Sequence, residues 1–545
     1  MDPTDAGAAS ATTAERPDWA DGYSVDVEYV TGFQKEAAPS WLTWSAAMRG
    51  AAGPDLTKPN TWVEPGCGNG LTAAIIGALN PGTEAWGLDF DQAAIERAQA
   101  LARRMESTKT RFQRMSFAEM TEAAASSMPA FDFVAMHGVL SWVSAARRDE
   151  LCQFLTKRLT PRGLAYLSHN VDTGWAPMRS VHALMRLLSQ SKTSGEGRLA
   201  SVPSTIAILT GMRASGAVYF ANQPTASALL DSLATEDPRY VVHEHMNVEW
   251  HPLSFEDVNE FARRSGMKYV GSATPTGCFD DATLPPMMMA LVMEPWARDI
   301  VAIETMRDIG CGRGFRQDVY RHCAESDEPL SWEPLWDMRL AGVGIPPGTP
   351  VQIEGTLGTL QGDAERHDPV LAALLQGPIT IGSLRTMPAF AAMPDAGARR
   401  VAAMLVGAGM AQPLLPAGAL QADRAAVRAV NAEIARVNGA GGTLTMLAAP
   451  AAGTCIGASQ AETLVVAEVD RRPGPPPQDE EDVERVAQAV LAGVISRGGT
   501  LEHGSKTVTD PSEVEMIVRS TTERALFGRR RKALEDLGVF ERQGH

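Results

Sequence analysis

Two carboxylates and a run of glycines are the residues of this chain whose spacing best suits chemistry. Glu64 directly precedes a loop in which Gly66, Gly68 and Gly70 occupy alternate positions, and Asp89 lies further along the chain. Glycines leave the backbone open, so that a ligand can lie directly against it. An acidic residue about 20 positions after such a loop is placed to accept hydrogen bonds from ribose hydroxyls. The pattern therefore predicts a nucleoside site.

Two nucleoside ligands fit the glycines. Gly68-x-Gly70-x-x-Ala73 matches the dinucleotide pattern G-x-G-x-x-G/A, so the motif alone does not exclude NAD. However, a carboxylate at position 64 would repel a pyrophosphate, whereas it suits the cationic amino acid end of S-adenosylmethionine. We therefore favour S-adenosylmethionine over a dinucleotide, and over a glycine turn that binds nothing. The residues predicted to bind this cofactor from the loop and the following carboxylate are Glu64, Gly66, Cys67, Gly68, Asn69, Gly70, Asp89 and Phe90.

The elements that position these residues alternate between strands and helices. Strands are predicted at residues 62–63, 84–88, 111–113, 131–138 and 163–170, with amphipathic helices between them. Asp91 can cap the helix that follows the second of these strands. This alternation predicts an α/β fold with a doubly wound, parallel sheet. The ligand edge of that sheet collects Glu64, Asp89, Ser116, His137 and Asn170. Topology alone places Ser116 and Phe117 at the adenine ring.

The pattern changes after Trp175, where helices without a strand continue to about residue 240. We interpret this insertion as a helical cap over the site. The sheet then resumes with a helix that begins at a Ser254/Asp257 capping box, a strand at residues 268–272 and a last strand at residues 287–293. A Pro/Gly run that begins at Val343 marks a domain boundary.

The predicted organisation has four parts. Residues 1–22 are a disordered leader, 23–298 the nucleoside-binding domain with its cap at 175–240, 299–342 a connecting helical segment, and 343–545 a mostly helical C-terminal domain.

The composition excludes several classes of protein. A formal net charge of −16 argues against a nucleic-acid partner. The six cysteines contain no CxxC pair, which predicts neither a disulfide framework nor a metal site and favours a cytoplasmic location. Residues 401–420 have the length of a membrane span but contain two prolines and three glycines, so no membrane span is expected. A homodimer is compatible with the sequence, which does not define the oligomeric state.

Several segments together resemble one family. These are residues 29–39, the loop from Glu64 to Gly70, Gly87-Leu88-Asp89-Phe90, Ser116-Phe117-Ala118, residues 131–143 (FDFVAMHGVLSWV), Asn170 with Gly174-Trp175, His243-Glu244-His245 and Phe315-Arg316-Gln317. The chain resembles class I S-adenosylmethionine-dependent methyltransferases that carry a methyltransferase regulatory domain, the group that includes the rickettsial outer-membrane protein lysine methyltransferases. The resemblance implies a seven-stranded sheet and makes residues 241–298 a regulatory segment. The chain departs from the family pattern at Met115, just before the Ser-Phe pair, and at His169 and Thr173, around the Asn170 to Trp175 segment.

The resemblance implies methyl transfer, with protein lysine as the best-known acceptor and a C-terminal region that helps to hold the protein substrate. Aromatic walls can hold an amine, and Tyr29, Trp142 and Trp175 are the candidates, with Asn170 at the acceptor site. His137 is either a catalytic base or a group that holds cofactor or backbone by hydrogen bonds, and we favour the second role. The alternatives are a small-molecule O- or N-methyltransferase and a catalytically silent scaffold with the same fold.

Overall fold

The computed structural model divides the chain into two compact units, a helical unit and a sheet unit. The helical unit contains residues 1–30, 141–145 and 175–252, and the sheet unit contains residues 31–140, 146–174 and 253–545. The residues that the structure describes are 27–28, 32–122, 128–189, 194–290, 299–323, 330–472, 479–504 and 506–542.

The sheet unit is built on a seven-stranded sheet. Its strands are β1 (Asn60–Pro65), β2 (Thr83–Asp89), β3 (Thr110–Arg114), β4 (Phe131–Met136), β5 (Leu159–Asn170), β6 (Met267–Ser272) and β7 (Phe315–His322). Their order across the sheet is β3-β2-β1-β4-β5-β7-β6. Strands β1 to β5 pair in parallel, so their carboxyl ends meet at one edge. This arrangement confirms the predicted α/β class and the predicted number of strands.

The helices of this sheet cover its strands in the usual crossover pattern. They are α1 (Pro39–Ala47), α2 (Leu71–Leu79), α3 (Gln92–Arg104), α4 (Phe117–Thr121) and α5 (Ala145–Arg158). Helix α2 is buried along its whole length, which agrees with its run of alanine, isoleucine and leucine. Helix α3 begins at Asp91, whose side chain accepts a hydrogen bond from the Ala93 amide, as its spacing predicts.

The prediction for the last strand was wrong. Residues 287–290 of the predicted strand are helical, and residues 291–293 lie outside the described part of the chain. The seventh strand is β7, which runs antiparallel to both β5 and β6. An apolar run of this length does not distinguish a strand from a buried helix. Strand β7 was missed because its buried face carries Arg316 and Asp318, which pair with each other and which resemble a solvent-exposed pattern.

The helical unit consists mainly of the segment predicted as a cap. Its helices are α6 (Asp172–Trp175, which begins in the sheet unit), α7 (Arg179–Ser189), α8 (Gly195–Ala214), α9 (Val218–Asn222), α10 (Pro224–Leu233) and α11 (Pro238–His245). Its core is formed by apolar side chains from five of them, including Met185, Val202, Phe220, Leu230 and Val242. No strand occurs among the described residues of this segment, as predicted.

The remaining helices all lie in the sheet unit. They are α12 (Phe255–Arg264), α13 (Asp280–Thr283), α14 (Ile300–Cys311), α15 (Glu333–Trp336), α16 (Ala364–Gln376), α17 (Ile381–Leu384), α18 (Pro394–Gly407), α19 (Arg424–Gly439), α20 (Gln460–Arg471), α21 (Glu480–Ser496), α22 (Pro511–Leu526) and α23 (Gly528–Asp536). The predicted capping box of α12 is present, with the Ser254 side chain bonded to the Asp257 amide and the Asp257 side chain bonded to the Ser254 amide.

The C-terminal region is mostly helical, as predicted, and also contains short strands. These are β8 (Arg339–Gly342), β9 (Gln352–Gly355), β10 (Gly358–Gln361), β11 (Ile379–Thr380), β12 (Ala411–Pro413), β13 (Met446–Ala449), β14 (Thr454–Gly457), β15 (Leu501–His503) and β16 (Lys506–Val508). Its apolar side chains join the core of the large sheet: Ile75, Leu79, Val430 and Cys455 belong to one buried cluster. The Asn80 amide nitrogen also donates to the Gly453 carbonyl, at 2.7 Å.

The segment with the length of a membrane span, residues 401–420, is divided between the end of α18 and strand β12. Across the described ranges, no helix combines the length and apolar character needed to cross a bilayer.

Candidate active site

The glycine loop connects β1 to α2 at the carboxyl edge of the sheet. Gly66, Gly68 and Gly70 have φ angles of 78°, 52° and 72°, a region that side chains disfavour. A Cβ on Gly70 would lie 2.5 Å from the Phe112 ring, so this glycine permits the helix to pack. A Cβ on Gly68 would meet nothing within 4 Å. The backbone at Gly68 therefore faces open space, as expected where a ligand is to lie against it.

Glu64 is buried at the end of β1, with only 6% of its surface exposed. One carboxyl oxygen accepts a hydrogen bond from the Ala73 amide, whereas Oε2 has no partner. Burial raises the pKa of Glu64 to about 8, and the nearby Asp89 carboxylate adds to this rise. An unpartnered acceptor in an apolar site is costly, and a cationic ligand group would remove that cost.

Asp89 ends β2 and connects to the loop through the backbone. Its Oδ2 accepts from the Gly68 amide at 2.8 Å, and its Oδ1 accepts from the Asp91 amide at 2.9 Å. Burial raises the pKa of Asp89 to about 6, against the opposing effect of these two amides. A carboxylate has about four acceptor positions, so Asp89 keeps capacity for the predicted ribose hydroxyls.

Three further predicted cofactor residues lie beside these groups. The Asn69 Oδ1 accepts from Arg97 Nε at 2.8 Å, which holds the loop against α3. Burial raises the pKa of the Cys67 thiol, which argues against a nucleophilic role. Phe90 is half-buried at the end of β2.

Ser116 and Phe117 lie at the turn after β3, where topology predicted them. The Ser116 hydroxyl donates to Glu119 Oε2 at 2.8 Å and accepts from the Glu119 amide at 3.3 Å, which completes a capping box for α4. The sequence contained this signal in the S-x-x-E spacing. Phe117 is half-buried at the start of the helix. The adenine contact of both residues stays a prediction.

His137 follows β4 and lies among polar side chains of two other strands. Its Nδ1 is 3.1 Å from the Tyr166 hydroxyl and 3.0 Å from the Ser168 hydroxyl. The Gln317 amide nitrogen donates to Tyr166 at 2.8 Å. Burial lowers the pKa of His137 to about 4, so the ring is neutral near pH 7. Tyr166, Ser168 and Gln317 were not predicted, because only the sheet pairing brings β5 and β7 to this histidine.

The predicted acceptor residues are distributed over both units. Asn170 ends β5 in the sheet unit, and its carbonyl accepts from the Leu253 amide at 2.9 Å. Trp142 and Trp175 belong to the helical unit, where Trp175 packs edge-to-face on Trp250 with ring centroids 5.6 Å apart. Tyr29 lies outside the described residues.

The residues present fit the predicted cofactor. The unpartnered Glu64 oxygen suits a cationic group, the space at Gly68 admits a ligand backbone, and Asp89 has acceptor capacity for hydroxyls. Within the described ranges, no group of three or more histidine, cysteine, aspartate or glutamate side chains has a metal-binding arrangement.

Comparisons with known proteins define the class. Residues 63–165 match the family model described as methyltransferase domain, and residues 237–322 match the model described as predicted methyltransferase regulatory domain. The second match extends beyond the predicted regulatory segment and includes strand β7. The chain is therefore a class I S-adenosylmethionine-dependent methyltransferase that carries a methyltransferase regulatory domain.

Individual proteins resemble the chain over much of its length. The Synechocystis protein sll1526 is 25% identical over 488 residues, which cover 89% of this chain and 94% of that protein. The Rickettsia prowazekii protein RP789 is 24% identical over 52% of this chain and 50% of its own length. The structure of PKMT2 from Rickettsia typhi in complex with AdoHcy covers 94% of this chain and 99% of that chain, with a TM-score of 0.62 and 17% identity.

Proposed function

We propose that this methyltransferase N-methylates lysine side chains of a protein substrate. The observation that carries the proposal is the extent of the likeness to PKMT2, a protein lysine methyltransferase, over 94% of this chain. That extent includes most of the C-terminal region as well as the methyltransferase sheet. A methyltransferase that acts on a small molecule needs no such region beyond its sheet and a cap.

The residues of the sheet edge would hold the methyl donor rather than react with it. When bound, S-adenosylmethionine supplies a methyl group on a positively charged sulfur. The Glu64 carboxyl, whose Oε2 has no partner, would bind its cationic amino acid end, and Asp89 would accept from its ribose hydroxyls. Orientation and exclusion of water then account for most of the rate that such a displacement needs.

A lysine acceptor must lose a proton before it has a lone pair to react. Desolvation alone lowers the pKa of a lysine amine, so this function requires no dedicated base. A mechanism without a dedicated base fits the site, because burial lowers the pKa of His137 to about 4 and makes it a weak base. The net charge of −16 also favours encounter with a basic, lysine-bearing substrate.

The test is incubation with tritiated S-adenosylmethionine and a cell extract, followed by separation of protein from small molecules. The proposal predicts label in protein and, after acid hydrolysis, in methylated lysine. Label in small molecules would instead favour the small-molecule alternative, and label in protein at another residue type would refute the lysine assignment. The Asp89→Ala variant serves as the matched control, because incorporation that this enzyme catalyses should disappear with it.

A further inference from the structure

His137 Nδ1 is surrounded by groups that have protons to donate. The Tyr166 oxygen accepts from the Gln317 amide, so the Tyr166 proton is available for another acceptor. The Ser168 oxygen accepts from the Gly138 amide at 2.9 Å, so its proton is available as well. Both hydroxyls lie within 3.1 Å of Nδ1, and they also hydrogen-bond to each other.

The number of protons decides which form of the ring fits this cluster. If Nδ1 carried a proton, the Ser168 and Tyr166 protons would have only each other's oxygen as acceptor, and one O···O contact holds one proton. One hydroxyl proton would then have no acceptor among the described residues of the cluster. If Nδ1 presents its lone pair, every proton has an acceptor. The second arrangement is favoured, because a buried donor without a partner is costly.

We infer that Tyr166, Ser168 and Gln317 hold His137 in the neutral tautomer that carries its proton on Nε2, so that the ring acts as a hydrogen-bond donor to an oxygen of the methyl donor. Tyr166, Ser168 and Gln317 are thus positioning residues that act through His137. The tautomer of a histidine is set by the partner of its other nitrogen, and here that partner is one of two hydroxyls that donates its proton while the other hydroxyl donates to the first.

Two aromatic rings pack against the imidazole of His137 and restrict its orientation. The Tyr166 ring is nearly parallel to the imidazole, with an interplanar angle of 10° and centroids 6.1 Å apart. Phe315 packs edge-to-face on it at 5.8 Å. His137 stands at the end of β4, at the edge where Glu64 and Asp89 also end their strands. His137 therefore stands at the edge predicted to bind the cofactor, and Nε2 is the ring nitrogen that the Tyr166 and Ser168 hydroxyls do not engage.

This inference rests on the methyl-donor site but not on a lysine acceptor, and its first test requires no turnover. Nitrogen-15 NMR of histidine-labelled protein distinguishes the two tautomers, and the chain has only ten histidines. The His137 signals are assigned by their loss in His137→Gln. We expect a protonated Nε2 and an unprotonated Nδ1 in the full-length protein. A protonated Nδ1 would overturn the inference.

A substitution that reverses the hydrogen-bond network provides the second readout. In Gln317→Glu a carboxylate would accept the Tyr166 proton and remove one donor from Nδ1, so we expect the population with a protonated Nδ1 to rise. Tyr166→Phe removes the same donor but leaves Nδ1 as the acceptor for the Ser168 proton among the described residues of the cluster, so it should keep the tautomer and serves as the control. An unchanged tautomer in Gln317→Glu, or a protonated Nδ1 in Tyr166→Phe, each with a cooperative thermal transition, would overturn the role of these hydroxyls.

Binding and kinetics of the full-length protein then separate a donor from a base. His137→Ala should weaken the affinity for S-adenosylhomocysteine about 5- to 10-fold, the size of one hydrogen bond, and should act mainly on KM for the methyl donor. His137→Gln keeps an N–H donor near the position of Nε2 and should recover most of that affinity. If His137→Gln instead lowers kcat about 100-fold or more, as the loss of a general base does, the donor role is refuted.

Discussion

The Gly68 amide donates a hydrogen bond to Oδ2 of Asp89, with 2.8 Å between nitrogen and oxygen. This contact connects the open bend after β1 to the end of β2, so the glycine that would face the cofactor is held by the carboxylate that would bind its ribose. The Asp91 amide bonds to the other oxygen of the same carboxylate. Asp89 therefore has both a binding role and a role in shaping the loop.

Asp89→Ala should abolish the binding of S-adenosylhomocysteine measured by calorimetry, because it removes the ribose acceptor and releases the Gly68 amide. Asp91→Ala is the matched control: its side chain caps α3 and forms a partly exposed ion pair with Arg97, so the loss of the cap should cost about 1 kcal/mol of stability and leave the affinity unchanged. Retained affinity in Asp89→Ala would contradict the ribose assignment.

Gly68→Ala and Gly70→Ala should separate binding from folding. The added methyl group has free space at Gly68 but meets Phe112 and Ala98 within 2.6 Å at Gly70. We expect Gly70→Ala to lower the melting temperature strongly, and Gly68→Ala to lose cofactor affinity with only the strain of its positive φ, about 1–2 kcal/mol. Gly216→Ala has the same backbone strain and the same open surroundings but lies in the helical unit, so it measures that strain alone.

Glu64→Gln should change how stability depends on pH. The pKa of Glu64 is about 8 in the folded protein and near 4.5 in the unfolded chain. The stability that its protonated form contributes is therefore complete below pH 4.5 and is lost as the pH rises through 8. In the absence of ligand, the melting temperature of the wild type should fall relative to that of Glu64→Gln between pH 5 and pH 9.

The same substitution should have the opposite effect on binding. Ionised Glu64 attracts a cationic ligand, so wild-type affinity for S-adenosylmethionine should rise with pH up to about pH 8, more steeply than in Glu64→Gln. The variant reports the contribution of the ligand's own amino group, which also titrates near pH 8. Parallel pH profiles for the two proteins would argue that Glu64 does not contact the cation.

Arg316→Met should destabilise the protein severely. Arg316 is 1% exposed and bonds to Asp318 Oδ2 at 2.7 Å, Asp308 Oδ1 at 2.6 Å and Glu304 Oε2 at 2.5 Å. Its removal leaves buried carboxylates without this partner, a loss of about 3–5 kcal/mol, measured by urea unfolding. Arg263→Met, which removes an exposed pair with Glu260, should leave the urea midpoint nearly unchanged, because surface ion pairs contribute little to stability.

The sequence was sufficient for those parts of the fold in which local pattern and tertiary role agree. Alternating strands and helices predicted β1 to β6, and Asp91 and Ser254 marked the helices that they cap. It was insufficient at β7, because Arg316 and Asp318, two residues apart on this strand, are buried as a pair and Arg316 also bonds to Glu304 and Asp308 of α14. Charged residues are read as solvent-exposed in a sequence, and only the structure shows that their ion pairs allow them to be buried.

The candidate site, too, was predicted only where its residues are close in sequence. Glu64, the glycines and Asp89 are close in sequence, so their spacing predicted a nucleoside site. The surroundings of His137 come from β5 and β7, which lie next to each other only after the sheet forms. Its tautomer, and with it the choice between base and donor, therefore required the structure.

Hydrogen–deuterium exchange in the presence and absence of S-adenosylhomocysteine tests the central claim most directly, because it locates the bound nucleoside along the chain. We predict protection of the peptides that contain Glu64 to Gly70, Asp89 with Phe90, and His137, while the C-terminal helices α21 and α22 exchange as before. Protection that is confined to other segments, with the glycine loop unchanged, would contradict the assignment of this edge of the sheet as the methyl-donor site.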